Sequence, residues 1–163
     1  MKAADLVRVA FDGSDVIWRG YVADLSDADL LVRPVPGANH INWQIGHLIA
    51  SENGFVTGIW PGSMSSLPGG FTERYGRDRA AIDDPAAFAT KDELMRIFEE
   101  QRAGTLAALE RLREEDLPQP GPEASRSYFP TVASVLLGIP AHWTMHAGQW
   151  AVIRRKLGKP PLF

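Results

Sequence analysis

The stretch AHWTMHAGQWAVIRRKLG, residues 141–158, places His142 and His146 four positions apart in an apolar segment. Because an α-helix turns once in about 3.6 residues, side chains four positions apart lie above one another on the same face. Two neutral imidazoles stacked in this way can bind one divalent metal ion, as they do in helical zinc motifs. The segment therefore predicts a long helix that carries two ligands of a metal site.

A histidine pair seldom holds a metal ion without a further ligand, and His47 is the best candidate for that role. It lies in the apolar segment NHINWQIGHLIASENGF, residues 39–55. Taken alone, His47 is more simply a core histidine, and it becomes a ligand candidate only together with the pair. The remaining histidine, His40, lies at a loop–helix junction beside Pro36-Gly37. We expect it at the surface or in the capping region of the helix.

Two glutamines accompany the candidate ligands at helical spacing. Gln44 lies three residues before His47, and Gln149 lies three residues after His146. Each is either a hydrogen-bond partner of a ligand or a polar residue at the margin of the core, and the sequence leaves both interpretations open. Glu52, five residues after His47, should point away from the ligand face. Glu52 and Gln44 are only weak candidates for a general base, and the sequence identifies no catalytic residue.

Composition limits the partners and the chemistry of the chain. Its 163 residues carry a formal net charge of −3 and a pI of about 5.8, which argues against nucleic acid as the main partner. The basic run Arg154-Arg155-Lys156 is better explained by a helix end, where cations complement the helix dipole. The sequence has no cysteine, which excludes disulfides, thiolate ligands and a cysteine nucleophile. A metal ion must therefore be held by His, Asp, Glu or water.

The sequence favours a cytoplasmic protein. Asp5, Asp12 and Asp15 are unlike the N-terminal region of a signal peptide. No apolar run approaches the ~20 residues of a transmembrane helix, so we expect no membrane partner. The sequence contains five tryptophans, which is more bulky aromatic surface than one small bundle needs to bury. On that basis we expect a homodimer.

Hydrophobic periodicity predicts four long helices separated by connectors. Thr90, with Glu93 three residues later, forms a capping box that begins the third helix, and Asn39 is a plausible N-cap for the second. We therefore predict an all-α fold, a four-helix bundle with long crossover connections, in a single domain spanning residues 1–163. The predicted helices cover residues 3–25, 41–60, 90–113 and 131–157.

Two further expectations concern the surface. On the third helix we expect Gln101, Arg102 and Glu110 to be exposed. The connector at residues 62–89 is rich in Gly, Ser, Pro and Asp, which makes it too polar for the core. Loops of this length often line functional sites, and we predict a partly mobile lid over a cleft between the second and fourth helices. The alternative is a surface excursion that covers an outer groove or the dimer contact.

Two stretches resemble the DinB/YfiT-like superfamily of metal-binding four-helix bundles. They are RPVPGANHINWQIGHL, residues 33–48, and HWTMHAGQWAVIRRKLG, residues 142–158. The resemblance implies that His47, His142 and His146 form a three-histidine site for a divalent metal ion, often nickel or zinc. It also implies homodimers. Some related bundles are thiol S-transferases or isomerases that use low-molecular-weight thiols such as bacillithiol or mycothiol. Pro140, two residues before His142, departs from the pattern.

Three histidines leave positions open on a divalent cation, which is typical of catalytic rather than closed structural metal sites. The leading hypothesis is a metal-dependent enzyme that acts on a small electrophile, as a thiol S-transferase or a hydrolase. One alternative is a non-catalytic metal-binding module for stress response or interaction, and another is a helical interaction protein without metal. Histidine suits zinc, nickel, copper and iron alike, so the residues themselves leave the metal open.

Overall fold

The computed structural model describes residues 2–162 and is all-α, as predicted. Between residues 2 and 162 no strand forms, and an isolated antiparallel bridge joins Pro120 to Thr131. The four long helices overlap the four predicted ones and are compatible with a four-helix bundle. The α-helices are α1 Ala3–Val22, α2 Asp27–Leu30, α3 Ile41–Ile59, α4 Phe71–Arg74, α5 Lys91–Leu109 and α6 Val132–Lys156. Short 3-10 turns lie at Arg77–Arg79, Pro85–Ala87, Glu114–Asp116 and Glu123–Ser125.

The long helices pack so that α3 and α6, which carry the candidate ligands, are neighbours. Helix α6 lies along α1 and also contacts α3, while α3 packs against α5. Tryptophans fill the centre: Trp18 and Trp143 have ring centroids 4.6 Å apart, and Trp150 packs edge-on against Trp18. No helix within the described residues is long and apolar enough to cross a membrane.

The expectation that five tryptophans are more than one small bundle needs to bury is wrong. Trp18, Trp43, Trp143 and Trp150 are all buried within the chain, and Trp60 is partly buried. A bundle of this size can enclose the rings because they pack on one another and on Phe98. Tryptophan content therefore gives no support for a dimer.

His40, rather than Asn39, is the N-cap of α3. Its Nδ1 accepts a hydrogen bond from the backbone N–H of Trp43 at 3.1 Å, as an Asp or Ser side chain does at other helix starts. Its Nε2–H donates to the carbonyl oxygen of Ile82 at 3.1 Å, and its ring packs edge-on against Phe88. Of the two positions expected for His40, the capping region is confirmed and the surface is wrong, since the ring is completely buried; the assignment of the N-cap to Asn39 is also wrong.

Two residues of α5 that we expected at the surface are buried. Arg102 donates two hydrogen bonds of 2.9 Å to the Glu52 carboxylate and a third, also of 2.9 Å, to Asp15. Gln101 is buried as well and accepts from Asn53 at 2.8 Å. Pairing with partners on other helices makes this burial possible, and a single helix's periodicity cannot reveal it. Glu110 is exposed, as predicted.

The connector at residues 62–89 is not excluded from the core. Phe71 and Tyr75 are 3% and 1% exposed, and Phe88 is also buried. The Tyr75 ring lies directly on α3 at Gly46, where a Cβ would be 2.2 Å from Tyr75 Cδ1. Only glycine therefore permits this contact. Aromatic residues spaced among the glycines attach the connector to the bundle, so the prediction of a segment too polar for the core is wrong.

Candidate metal centre

The structure brings His47, His142 and His146 together on the facing sides of α3 and α6. One potential ligand atom from each imidazole lies within 4.8 Å of those of the other two. The Nε2 atoms of His142 and His146 are 3.2 Å apart. The His47 ring centroid is 5.3 Å from that of His142 and 6.1 Å from that of His146. The three histidines, two chosen by their four-residue spacing and one by its apolar segment, therefore lie close together.

The orientation of His47 depends on Trp43, one helical turn earlier. The two rings stack with centroids 4.9 Å apart and planes 5° from parallel. The Trp43 Nε1–H donates to the carbonyl oxygen of Gly76 at 3.0 Å, which fixes the indole in turn. The His47 ring is therefore held between the other histidines and an indole that is itself anchored to the connector.

A chain of hydrogen bonds fixes the tautomer of His146. The indole N–H of Trp150 can only donate, and it donates to Oε1 of Gln44. The Gln44 amide nitrogen consequently points the other way and donates to Gln149 Oε1 at 2.9 Å and to the Asn39 carbonyl oxygen at 3.0 Å. His146 Nδ1 then faces two acceptors, Gln44 Oε1 at 3.2 Å and Gln149 Oε1 at 3.3 Å.

Because both neighbours of His146 Nδ1 are carbonyl oxygens, this nitrogen carries the proton and donates. The Nε2 atom of the neutral ring therefore has its lone pair directed at the histidine cluster. Such a support, with one ring nitrogen donating to a neighbour and the other left free, is usual for metal-binding histidines. The interpretation of Gln44 and Gln149 as hydrogen-bond partners of a candidate ligand agrees with the structure.

Burial keeps the three imidazoles neutral. It lowers the pKa of His47 to about 4, with further lowering from the charged forms of His146 and Arg77. Burial, with repulsion from His146 and His47, likewise lowers the pKa of His142 to about 4. The pKa of His146 is also lowered by burial, against an opposing hydrogen bond with Gln149. Neutral rings with free lone pairs are the form that binds metal ions.

The sequence profile of the DinB superfamily matches residues 11–150. The chain belongs to the DinB superfamily. A conserved protein from Enterococcus faecalis, known from its crystal structure, has the same fold, with a TM-score of 0.72. The two chains are 19% identical, and the match covers 98% of this chain and 99% of that chain. At this identity the likeness shows the fold alone. No curated protein matches the chain.

Glu52 lies away from the three histidines of this DinB-superfamily chain, as its spacing indicated. Its carboxylate accepts from Arg102, from Thr105 Oγ1 at 2.7 Å and from Trp143 Nε1 at 3.0 Å. Within residues 2–162, the only group of His, Cys, Asp or Glu side chains with the spacing of a metal site is the histidine triplet. The cluster consequently contains no carboxylate that could serve as a proton acceptor.

Sequence reasoning missed the roles of Trp43 and Trp150, which it assigned to the core or an interface. A signal was present, because Trp43 precedes His47 by four residues and Trp150 follows His146 by four. The same spacing puts each indole one helical turn from a histidine: Trp43 stacks on His47, and Trp150 reaches His146 through Gln44. Both tryptophans are buried as expected, and each also orients part of the histidine cluster.

Only part of the connector at residues 62–89 approaches the candidate site. Residues 63–65 lie against α5 and the later turns of α3, where the Ser65 carbonyl oxygen accepts from Asn53 and Gln101. The segment from Tyr75 to Arg77 instead lies beside His47, through the Gly76–Trp43 hydrogen bond. Of the predicted lid at residues 62–89, the segment that borders the histidines is therefore short and well anchored.

Proposed function

We propose that this protein binds a divalent metal ion through His47, His142 and His146, and that the metal site is catalytic. The reaction we propose is transfer of a low-molecular-weight thiol to a small electrophile, with hydrolysis of such an electrophile as the related possibility. The observation that carries the proposal is the convergence of three neutral imidazoles, with ligand atoms within 4.8 Å of one another.

The donor set fits a divalent ion. Four nitrogens at ~2.0–2.1 Å from a tetrahedral zinc ion are separated from one another by roughly 3.3 Å. The Nε2 atoms of His142 and His146 are 3.2 Å apart, and the tautomer of His146 leaves its Nε2 lone pair free. Imidazole nitrogen suits both zinc and nickel, the two ions that we propose.

Three protein ligands leave a position open for a small molecule, which favours a catalytic site. When bound, a divalent ion supplies Lewis acidity, which lowers the pKa of a water molecule or a thiol beside it. The protein's own contribution is to hold the ligands, since Gln44 and Gln149 orient His146 and Trp43 restrains His47. A thiol loses its proton far more readily than water. A cluster without a neighbouring carboxylate therefore suits a thiol nucleophile better than hydrolysis.

The first test is the metal itself. The full chain is purified without a nickel column and its zinc and nickel content is measured by elemental analysis, before and after dialysis against each ion. About one ion per chain is expected. Protein that remains metal-free after dialysis against both ions would refute the proposal.

The second test is activity. Metal-loaded protein is mixed with bacillithiol or mycothiol and an electrophilic aryl halide, and thioether formation is followed by absorbance. Turnover that disappears on metal removal supports the enzyme. Metal binding without turnover for any thiol–electrophile pair would favour a non-catalytic metal-binding module for stress response or interaction.

We also propose that the protein is a homodimer, and the support comes from α1 and α6. No Asp, Glu, Lys or Arg occurs in α6 from Val132 to Ile153. Its outer side instead exposes Leu137, Met145 and Val152, and the adjoining α1 exposes Leu6, Val9 and Val16. Exposed apolar side chains on two neighbouring helices are typical of an interface. Light scattering across a concentration series, with Met145→Glu as the disrupting variant, tests this; a monomer at all concentrations would refute it.

A further inference from the structure

Arg77 lies at the edge of the histidine cluster with a guanidinium that no other residue of the described chain binds. We propose that the small molecule used at the three-histidine centre carries an anionic group, a carboxylate or a phosphate, and that Arg77 binds this group. The inference rests on the proposed function, because it names the class of molecule that reaches that site.

The position of Arg77 is set by the two residues before it. Tyr75 is buried against Gly46, the residue next to His47. Gly76 accepts the hydrogen bond from the Trp43 indole, which stacks on the His47 ring. Two consecutive anchors on α3 therefore place Arg77 beside His47 without using its own side chain. In agreement with this proximity, its charge contributes to the lowered pKa of His47, after burial and His146.

The two arginines that line one cavity differ in whether their guanidinium groups are paired. A cavity of about 480 Å³ is lined by both Arg33 and Arg77. Arg33 donates to Asp83, to the Ala38 carbonyl oxygen and to the Ala80 carbonyl oxygen, so its guanidinium is occupied. Within residues 2–162, Arg77 makes no ion pair or side-chain hydrogen bond. The Arg77 guanidinium therefore keeps all of its N–H donors available for a ligand.

A second wall of the same cavity is linked to His146 by a hydrogen-bond relay through Gln44. Asn39 lines it, and the Asn39 carbonyl oxygen accepts from Gln44, whose Oε1 in turn faces His146 Nδ1. None of the three histidines lines this cavity, so it is the position of Arg77 beside His47 that places an anionic group within reach of the cluster. A guanidinium binds carboxylate and phosphate through two parallel hydrogen bonds, which explains why an anionic end is the matching chemistry.

The test compares two thiols of equal length that differ in charge, 3-mercaptopropionate and the neutral 3-mercaptopropionamide. Their binding to the full chain loaded with Co²⁺ is measured by calorimetry and by the thiolate-to-cobalt absorption band. We expect wild type to bind the anionic thiol about 5-fold more tightly, as for a solvent-accessible ion pair. The preference should decrease with added salt.

Three variants separate Arg77 from general surface charge. Arg77→Gln should abolish the preference, and Arg77→Lys should keep part of it. Arg74→Gln is the matched control, because Arg74 is exposed on the same segment but lines a different cavity, with Glu73 and Asp78. It should keep the full preference, although the net charge changes equally.

The outcomes distinguish this inference from the proposed function. Equal affinity of wild type for both thiols, no binding of either thiol by metal-loaded protein, or a preference that survives in Arg77→Gln would each overturn the inference while leaving the metal assignment intact. Failure of the wild-type protein to take up any divalent ion would overturn the proposed function, and the inference with it.

Discussion

Trp43 and His47 stack face to face, 4.9 Å between ring centroids and 5° from parallel. The indole is also tied to the Gly76 carbonyl oxygen, so it transmits the position of the connector to a candidate ligand. We predict that Trp43→Leu lowers zinc affinity about 10-fold, the lower end of the effect of residues that support metal ligands. Competition with a chromogenic chelator measures the affinity.

Trp43→Phe is the control, since phenylalanine keeps a flat ring against His47 and loses only the hydrogen bond to Gly76. Its zinc affinity should lie between those of wild type and Trp43→Leu. Both variants are measured well below their melting temperatures, so that lost stability does not appear as lost affinity. Wild-type affinity in Trp43→Leu would show that the stacking does not orient His47.

Removing any one of the three histidines should abolish stable metal binding. His47→Ala, His142→Ala and His146→Ala each leave two ligands, and we expect less than about a tenth of the wild-type metal content after dialysis. Elemental analysis makes the comparison. Full metal content in any of these variants would exclude that residue as a ligand.

The control for these variants is His40→Asn rather than His40→Ala. His40 caps α3 and is buried, so alanine would remove the cap and create a cavity. Asparagine is a good N-cap residue and preserves the hydrogen bond to the Trp43 N–H. The variant should retain wild-type metal content, which would show that loss of any histidine is not sufficient to lose the metal.

Acid should destabilise the metal-free protein in a defined window. The pKa of His47 and His142 is about 4 in the folded chain, against about 6.5 in an unfolded one. Between these values the unfolded state binds more protons, so stability is complete above about pH 6.5 and is lost as the pH falls toward 4. The loss is at most about 1.4 kcal/mol per pH unit for each histidine. Urea denaturation at successive pH values measures it.

His142→Gln provides the comparison, because it removes one of the two strongly shifted groups. Its stability should fall less steeply over the same pH window. Saturating zinc should increase the acid sensitivity of the wild-type protein, since protons must then displace the ion as well. Parallel pH profiles for wild type and His142→Gln would contradict the assignment of a lowered pKa to His142.

The sequence was sufficient for those features that depend on one helix at a time. The four long helices follow from local periodicity, and His142 and His146 are stacked by a four-residue spacing alone. It was insufficient where a residue's position depends on a distant partner. Arg102 is buried because Glu52, fifty positions earlier, neutralises it, and His40 is buried because it caps α3 and donates to Ile82. Neither partner can be recognised from the spacing of one segment.

The buried pair of Glu52 and Arg102 should matter for stability and not for metal binding. Glu52→Gln removes the charge that compensates Arg102 and weakens the bonds from Thr105 and Trp143. We expect a loss of roughly 3 kcal/mol in the free energy of unfolding, as when one partner of a buried ion pair is removed. Denaturant titration measures the loss, and the metal content of the folded variant should be unchanged.

Glu110→Gln is the matched control, since Glu110 makes an exposed contact of 3.8 Å with Arg8. Exposed pairs contribute little, so its stability should stay within about 0.5 kcal/mol of wild type. If both substitutions have the same small effect, the buried pair is not a stabilising element of the bundle. A large loss of metal in Glu52→Gln would instead place Glu52 in the site.

Gly46 and Gly54 lie two turns apart on α3 and should respond to alanine in opposite ways. At Gly46 an added Cβ would meet the Tyr75 ring at 2.2 Å, whereas at Gly54 it would meet nothing within 4 Å. Gly46→Ala must therefore displace Tyr75 and the Gly76 carbonyl oxygen that holds Trp43. We expect it to destabilise the protein by roughly 1–3 kcal/mol, as overpacking does. Gly54→Ala should instead stabilise α3 by up to about 1 kcal/mol, because alanine is the better helix former.

The two glycine variants also test whether the connector orients the metal site. If Tyr75 and Gly76 hold Trp43 against His47, Gly46→Ala should weaken zinc binding in protein that is still folded, and Gly54→Ala should not. Thermal unfolding and chelator competition on the same samples separate the two effects. Unchanged zinc affinity in a destabilised Gly46→Ala variant would mean that Tyr75 serves only the core, and that His47 keeps its orientation through α3 itself.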